Sequence, residues 1–506
     1  MVNGASFASL QPLNRQPTWI LVAICTVIGL GFVALDIEIG FVDLSSSVSH
    51  PQDVKDATVK IVHANKLIEK IVDKPSVGFQ REYQNDAYDN TYVHVVYSMS
   101  CDQPNRPLQS AALQISASKV GHRGPITEII SGCNEDDIIR VSNEPTFYYD
   151  FHRHFTPSYH RHPEPGIDDN YVPYNKPYSL KNFLHAAKVS VGARDNMSIA
   201  LVDIDFAFFQ PLRVNLGRNV TKYYHGKIQD RDILDTVEDG YALAGDWTAY
   251  YGGGWFDAAN KYKKDAICKG KPCMNVTEEE GREFYAGSGP PYILTKNDWL
   301  RMIDDYCKFV VEGRKLDSDW MIEMYGYGLA AGNHKIKHML LGNLGPTWPR
   351  LEKNLWNFLD ETMPNPCDNT TLDIVMPKDP PVMIHYCQKY GYLDAEDQGW
   401  HFYKYHIPYD ILKCDAMILQ LPPPTQWTDI PTLNLTGRGL NTKRHEIWAM
   451  CTLAKIMNQA ILTMKEKLCP LGYNTFEGIP MNEPNVRDTA LPGSVPKVMD
   501  DPFEDW

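Results

Sequence analysis

The chain has 506 residues, 43% of them hydrophobic and 22% charged, with a formal net charge of −14. The apolar fraction and abundant aromatics exclude global disorder, and the length allows about two or three domains. The acidic balance excludes a nucleic-acid partner, which needs a basic footprint to displace counterions. An anionic small substrate stays compatible wherever a metal or local Lys and Arg side chains neutralise it.

Thr18 to Leu35 (TWILVAICTVIGLGFVAL) carries no charge. At ~1.5 Å per residue the run nearly crosses a ~30 Å hydrocarbon layer, and flanking residues close the gap. Arg15 precedes it, while Asp36, Glu38 and Asp43 follow, which favours a cytosolic N-terminus and a lumenal body. A cleaved signal peptide is the competing reading, but the run is long for one and no A-x-A site follows directly. Residues 1–17 therefore read as a cytosolic tail, 18–36 as a transmembrane signal-anchor and 37–90 as a polar stem. Ten of the eleven cysteines lie beyond the anchor, an even number that suits disulfides in an oxidising lumen. Cys268 with Cys273 would close a small loop, and Cys101 with Cys133 would tie the first two core strands. No CxxC pair offers a zinc site. Five N-x-[ST] sequons (Asn196, Asn219, Asn275, Asn369, Asn434) also follow the anchor.

The first strand-like run is Tyr92 to Ser98, with a helix expected near Gln109 to Ser118 and a second strand at Thr127 to Ile130. Residues 134–178 are rich in His, Tyr, Pro and Asp without periodicity, and read as a long ordered loop. A helix is expected from about Ser179, and Ser198 to Phe209 (SIALVDIDFAFF) is the clearest strand. Another strand is expected near Tyr241 to Gly245, and a cysteine-containing insertion follows. Helices are expected at Lys296 to Glu312 and Ser318 to Ala331, strands at Ile336 to Leu341 and Val382 to Cys387, and a long helix at about Thr442 to Leu468. Alternating strands and helices predict an α/β fold with a mostly parallel central sheet.

Three constellations carry chemistry. Asp203 and Asp205 flank Ile204 at the end of an apolar strand, where alternate residues share a face. Two hard oxygen ligands at a sheet's carboxyl edge suit Mg²⁺ or Mn²⁺ bridging a diphosphate. A carboxylate pair capping a loop is the plainer reading. Against it, two like charges beside the buried run Ile199 to Val202 are costly without a cation. His385, ending another apolar strand, is either a third ligand or a satisfied core histidine. Asp319 and Glu323, four apart on one predicted helix, share a face. Either they contact an acceptor and stabilise positive charge on a sugar, or they form a solvated helix start.

From Tyr92 to Cys414 these pieces resemble, in order, the hydroxyproline O-arabinosyltransferases and the related peptidyl serine α-galactosyltransferases. Tyr92-Val93-His94-Val95-Val96 is similar to the family's first nucleotide-binding strand. Asn175-Lys176-Pro177-Tyr178 resembles its N-R-P-W segment. Asp203 falls where the arabinosyltransferases carry the Glu of E-P-D, and Asp205 falls on the shared Asp; the galactosyltransferases are closer to D-x-D. Trp320 to Tyr327 (WMIEMYGY) resembles W-x-L-E-M-Y-A-Y, and Gly287 to Leu294 resembles the stretch before it. Ile384-His385-Tyr386 is similar to I-H-Y, and Trp400 with Phe402 to the closing W-x-F.

The resemblance implies a GT-A-like nucleotide-sugar-binding domain over residues 91–415, with 416–506 as a C-terminal extension. It implies a type II protein of the Golgi or ER membrane that moves a sugar from a UDP donor to a peptide or protein hydroxyl, with retention of configuration. Asp203, Asp205 and His385 would hold Mn²⁺ or Mg²⁺ against the UDP, and Asp203, Asp205 and His94 would lie at the nucleotide. Glu323 and Asp319 would line the sugar or acceptor subsite as catalytic groups. Arabinofuranose and galactose both remain open as the sugar. A non-catalytic lumenal binding module on the same fold, and a hydrolase using the paired carboxylates, are the alternatives.

Overall fold

The structure, a computed structural model, describes residues 89–190, 197–228, 232–352, 354–360, 362–391, 399–433 and 435–481. The expected tail, anchor and most of the stem lie outside these residues, as do Asn196, Asn434 and the final Pro- and Asp-rich stretch. Among the described residues no helix is long and apolar enough to cross a membrane.

Apolar runs build the centre. Strands β1 (His94–Ser100), β2 (Ile126–Ser131) and β4 (Ile199–Val202) are almost wholly buried, which a sheet covered on both faces requires. With β3 (Phe151–Thr156), β6 (Tyr241–Asp246), β7 (Ser288–Leu294) and β8 (Lys337–Leu341) they form a seven-stranded sheet in the order β3-β2-β1-β4-β7-β6-β8. Four of the six pairings are parallel, and β7 runs antiparallel to both its neighbours. The sheet is therefore mostly parallel, as the alternation of elements predicts.

Helices cover the sheet: α1 (Arg106–Lys119), α3 (Asn175–Ser190), α4 (Lys296–Arg314) and α5 (Ile322–Asn333). The Thr295 side chain caps α4 by accepting from Asp298 N, and Trp299 Nε1 donates to Ile199 O at 3.0 Å, tying that helix to the sheet.

The stretch 134–178 departs from its expected loop. It holds α2 (Glu135–Ser142), capped by Asn134 with three acidic residues in its first turn, and the edge strand β3. As an edge strand β3 pairs only with β2, so its FHRHFT sequence needs no alternation. The expected single strand from Ser198 to Phe209 is also divided. It leaves the sheet after Val202, turns through Asp203 to Asp205, and resumes as β5 (Phe206–Phe208) paired antiparallel with β9 (Met383–His385).

Beneath β5 and β9 lies a second apolar cluster. The long helix α6 (Gly437–Leu468) supplies much of it through Trp448, Met450, Leu453 and Met457, against Leu108 and Ala111 of α1. The described residues of 91–415 and 416–481 belong to one compact unit. Four disulfides are present among the described residues. Cys101–Cys133 and Cys268–Cys273 are those the sequence suggested, and Cys367–Cys451 and Cys414–Cys469 hold α6 and its end.

Candidate active site

The chain runs outward from β1 to β2 and β3, then returns to place β4 on the other side of β1. Such a reversal opens a crevice beyond the carboxyl ends of the two central strands. Both Asp203 and Asp205 sit there, at the point where the chain leaves β4. Their position follows from the sequence: Ile199 to Val202 is too apolar to leave the core, and the two charges must come off its end.

The β5–β9 ribbon brings in His385, which lies directly opposite Phe206 in the pairing register. Its ring stacks on Phe206 at 4.5 Å between centroids and packs against Trp247 at 5.3 Å. His385 Nε2 is 3.1 Å from Asp205 Oδ1 and 3.8 Å from Asp203 Oδ2. Ligand atoms of all three side chains fall within 4.8 Å of one another. Two carboxylates and an imidazole are a donor set that suits Mn²⁺ or Mg²⁺, so these residues fit the ion the sequence implied.

Two lysines complete the arrangement. Lys176, in the first turn of α3, reaches Asp203 Oδ1 at 2.9 Å and Glu323 Oε2 at 3.0 Å. That turn is held at the end of β1, where Ser98 Oγ meets Ser179 Oγ and Asn175 Nδ2 donates to Ser100 Oγ. Lys404 donates to Asp205 Oδ2 at 2.6 Å. Burial pushes the Asp205 carboxyl up, but Lys404 and His385 outweigh it and hold the group well below the ordinary carboxylate range. Burial likewise pulls His385 down, while Cys387 and Asp205 raise it further, leaving it well above its usual value. Lys176 is raised in the same way, Asp203 and Glu323 outweighing its burial. Asp203, with its side chain 23% exposed against 4% for Asp205, faces the open side.

Glu323 is buried on α5. Lys176 and the Tyr306 hydroxyl hold its two oxygens, and its backbone N–H donates to Tyr171 Oη at 3.0 Å. Asp319 does not share a helix face with it, which corrects the sequence expectation. The helix starts only at Ile322, because Asp317 Oδ1 takes the N–H groups of Ser318 and Asp319 and Asp319 Oδ1 takes that of Met321. Such side-chain bonds compete with helical ones and hold the segment as a turn. The partners of Asp319 are Met321 N and the Tyr325 hydroxyl, so it stands apart from the carboxylate cluster.

His94 is not brought to the cluster either. It opens β1, opposite Ile199, whereas Val202 pairs with Tyr97. That leaves it about four residues of strand rise, roughly 13 Å, below the carboxylates. There it is buried, with Nε2 2.8 Å from Thr127 Oγ1 and its ring edge-on to Phe183.

Sequence reasoning did not single out Lys176, Lys404, Tyr171, Tyr306 or Trp247. Lys176 had a signal, since its N-K-P-Y segment resembles an N-R-P-W pattern with lysine in place of arginine. Lys404 is one lysine in the aromatic stretch HFYKYH, His401 to His406, and nothing local marks it.

Solved structures similar to this chain are glycosyltransferases. The bifunctional glycosyltransferase WbbM matches at 13% identity and a TM-score of 0.33, over 60% of this chain and 47% of its own. The galactosyltransferase LgtC, in complex with donor and acceptor sugar analogues, matches at 12% and 0.32, over 61% and 92%. Mouse xyloside xylosyltransferase 1 matches at 10% and 0.30, over 58% and 96%. The chain thus spans just under half the length of WbbM. TM-scores of this size are too low to assign a common fold. No protein-family model matches the chain, and no curated protein does.

Proposed function

We propose that the chain is a metal-dependent glycosyltransferase of GT-A type, acting on a UDP-sugar from the lumenal side of a Golgi or ER membrane. The observation that carries the reading is the convergence of Asp203, Asp205 and His385 at the carboxyl edge of β4, with Glu323 joined to Asp203 through Lys176. An ion held by Asp203, Asp205 and His385 would act as a Lewis acid toward the departing diphosphate. Lys176 beside Asp203 and Lys404 beside Asp205 add fixed positive charge to the site, which suits a dianionic leaving group. Glu323 is oriented by three partners and screened from water. Its carboxylate suits stabilisation of the positive charge that grows on the sugar ring during transfer. The donor is UDP-arabinofuranose or UDP-galactose, and the acceptor a hydroxyproline or serine hydroxyl, on the strength of the sequence resemblance.

One observation favours a second reading. Lys176 already pairs with Asp203 and Glu323, and Lys404 with Asp205, so each carboxylate of the cluster has a cationic partner without an ion. A non-catalytic binding module on this fold would need no more. The deciding experiment measures UDP release by the full chain with Mn²⁺, each donor, and hydroxyproline or serine peptides. Metal-dependent turnover that Asp205→Ala abolishes supports the transferase. No turnover with any pair, together with no UDP binding by calorimetry, leaves the module.

A further inference from the structure

A cleft of about 210 Å³ has His225 and Gly342 in its wall, Gly342 directly following β8. His225 on its wall lies 3.3 Å from Asp246, the last residue of β6, and the next residue is Trp247, which packs on the His385 ring. Pro381, also on the wall, precedes His385 by four residues of extended chain, roughly 13 Å. One sugar ring together with the peptide residue that carries it covers that span.

The lining is uncharged in sum and rich in amides. Among the described residues that line it, the ammonium of Lys222 is paired with the carboxylate of Asp379 at 2.5 Å. The described lining therefore offers a phosphate or a cation no surplus charge. Asn343, Asn354 and Asn357 line it, each with an amide that both donates and accepts, and Asn354 and Asn357 are exposed to the ligand space. Leu355 and Phe358 give an apolar wall. Gly342 keeps the floor open, because a Cβ there would lie 2.5 Å from Leu355 Cδ2 and 3.1 Å from His225 Cε1. Paired donors and acceptors beside an apolar surface match the vicinal hydroxyls and C–H face of a neutral sugar, and the volume suits one ring rather than a polymer.

We propose that this cleft is a saccharide subsite for the acceptor, holding a neutral sugar that the peptide already carries next to the hydroxyl to be modified. The proposal rests on the transferase reading, so its test keeps the two separate. Binding of methyl β-galactopyranoside and methyl α-arabinofuranoside to the full chain is followed by saturation-transfer NMR, and Mn²⁺-UDP binding by calorimetry. The same measurements are made on Asn357→Ala and on the Asn354→Ala/Asn357→Ala pair, whose exposed positions leave the core intact. The expected result is binding of one glycoside by the wild type, at least tenfold weaker in the double variant, with UDP affinity unchanged. For a glycosylated peptide acceptor, KM rises about as much while kcat holds. Glycoside binding that is absent, or equal in wild type and variants, overturns the subsite. Glycoside binding by a wild type that fails to bind UDP overturns the acceptor role together with the transferase reading.

Discussion

Lys176 places one ammonium between two carboxylates, 2.9 Å from Asp203 and 3.0 Å from Glu323, at a site closed to water on the Glu323 side. Removing one partner from such a group strands the other charges, and the usual cost is about 3–5 kcal/mol. Lys176→Met should lose stability on that scale in denaturant titration. Adding Glu323→Gln should recover part of the loss, because one stranded charge disappears; simple additivity of the two changes would show that the ion pair does not couple them. In turnover, Glu323→Gln alone should lower kcat by about 10²–10³ with donor KM little changed, the pattern of a contact made mainly in the transition state. Nearby, Glu352 is buried and takes the N–H groups of Thr347 and Trp348. Burial raises its carboxyl from 4.5 to about 8. A raised folded-state pKa means that the folded protein binds the extra proton. Its contribution is complete below about pH 4.5 and is lost as pH climbs toward 8. Thermal melts at pH 5 and pH 8 should therefore show the wild type losing on the order of 4 kcal/mol more than Glu352→Gln over that interval. Parallel losses in the two proteins would remove Glu352 from the account.

At the scale of elements, the strands whose apolar runs are buried on both faces were readable: β1, β2, β6 and β8 fall within a few residues of expectation. Those that escaped did so for identifiable reasons. Two adjacent prolines, Pro290 and Pro291, hide β7, and the sheet accommodates them at an irregularity where Gly245 pairs with Gly289 and Ala244 with Tyr292. β3 is an edge strand of mixed polarity. The D-x-D and His385 were legible because each ends an apolar run. Lys404 was not, since it reaches Asp205 across 199 residues and long-range contacts leave no local pattern. The C-terminal helix α6 was visible, but its docking was not. It binds the segment before β9 through Trp448 Nε1 to Val375 O and Lys455 Nζ to Asp373 O, and through the Cys367–Cys451 disulfide. That bond closes 84 residues, so replacing both cysteines with serine should cost about 4 kcal/mol in unfolding experiments under oxidising conditions. Reduction of the wild type should reproduce at least that loss; a variant as stable as its parent would mean that the apolar packing of α6 suffices.

For the whole molecule, the open question is which compartment the body faces. Four disulfides among the described residues, two of them joining distant segments, are stable only where thiols are oxidised. The sequons add a physical constraint, since an acceptor asparagine must reach solvent. Asn219, Asn275 and Asn369 are all exposed, and the threonine of each sequon stands two residues on, at Thr221, Thr277 and Thr371. If the charge asymmetry around residues 18–36 sends the body into the lumen, the chain made in a eukaryotic host should carry glycans at these sites. It should then migrate above its 57.6 kDa polypeptide mass and collapse toward it on endoglycosidase treatment. Replacing the three asparagines with glutamine one at a time should lower the chain's apparent mass in separate steps. An unshifted chain in the same membranes, with its body digested by protease added from the cytosolic side, would put the carboxylate cluster in the cytosol. The disulfides would then be without an oxidising compartment, and the proposed lumenal UDP-sugar donor without access to Asp203 and Asp205. The same gel thus tests the orientation on which the proposed donor, the proposed acceptor and the expected anchor all depend.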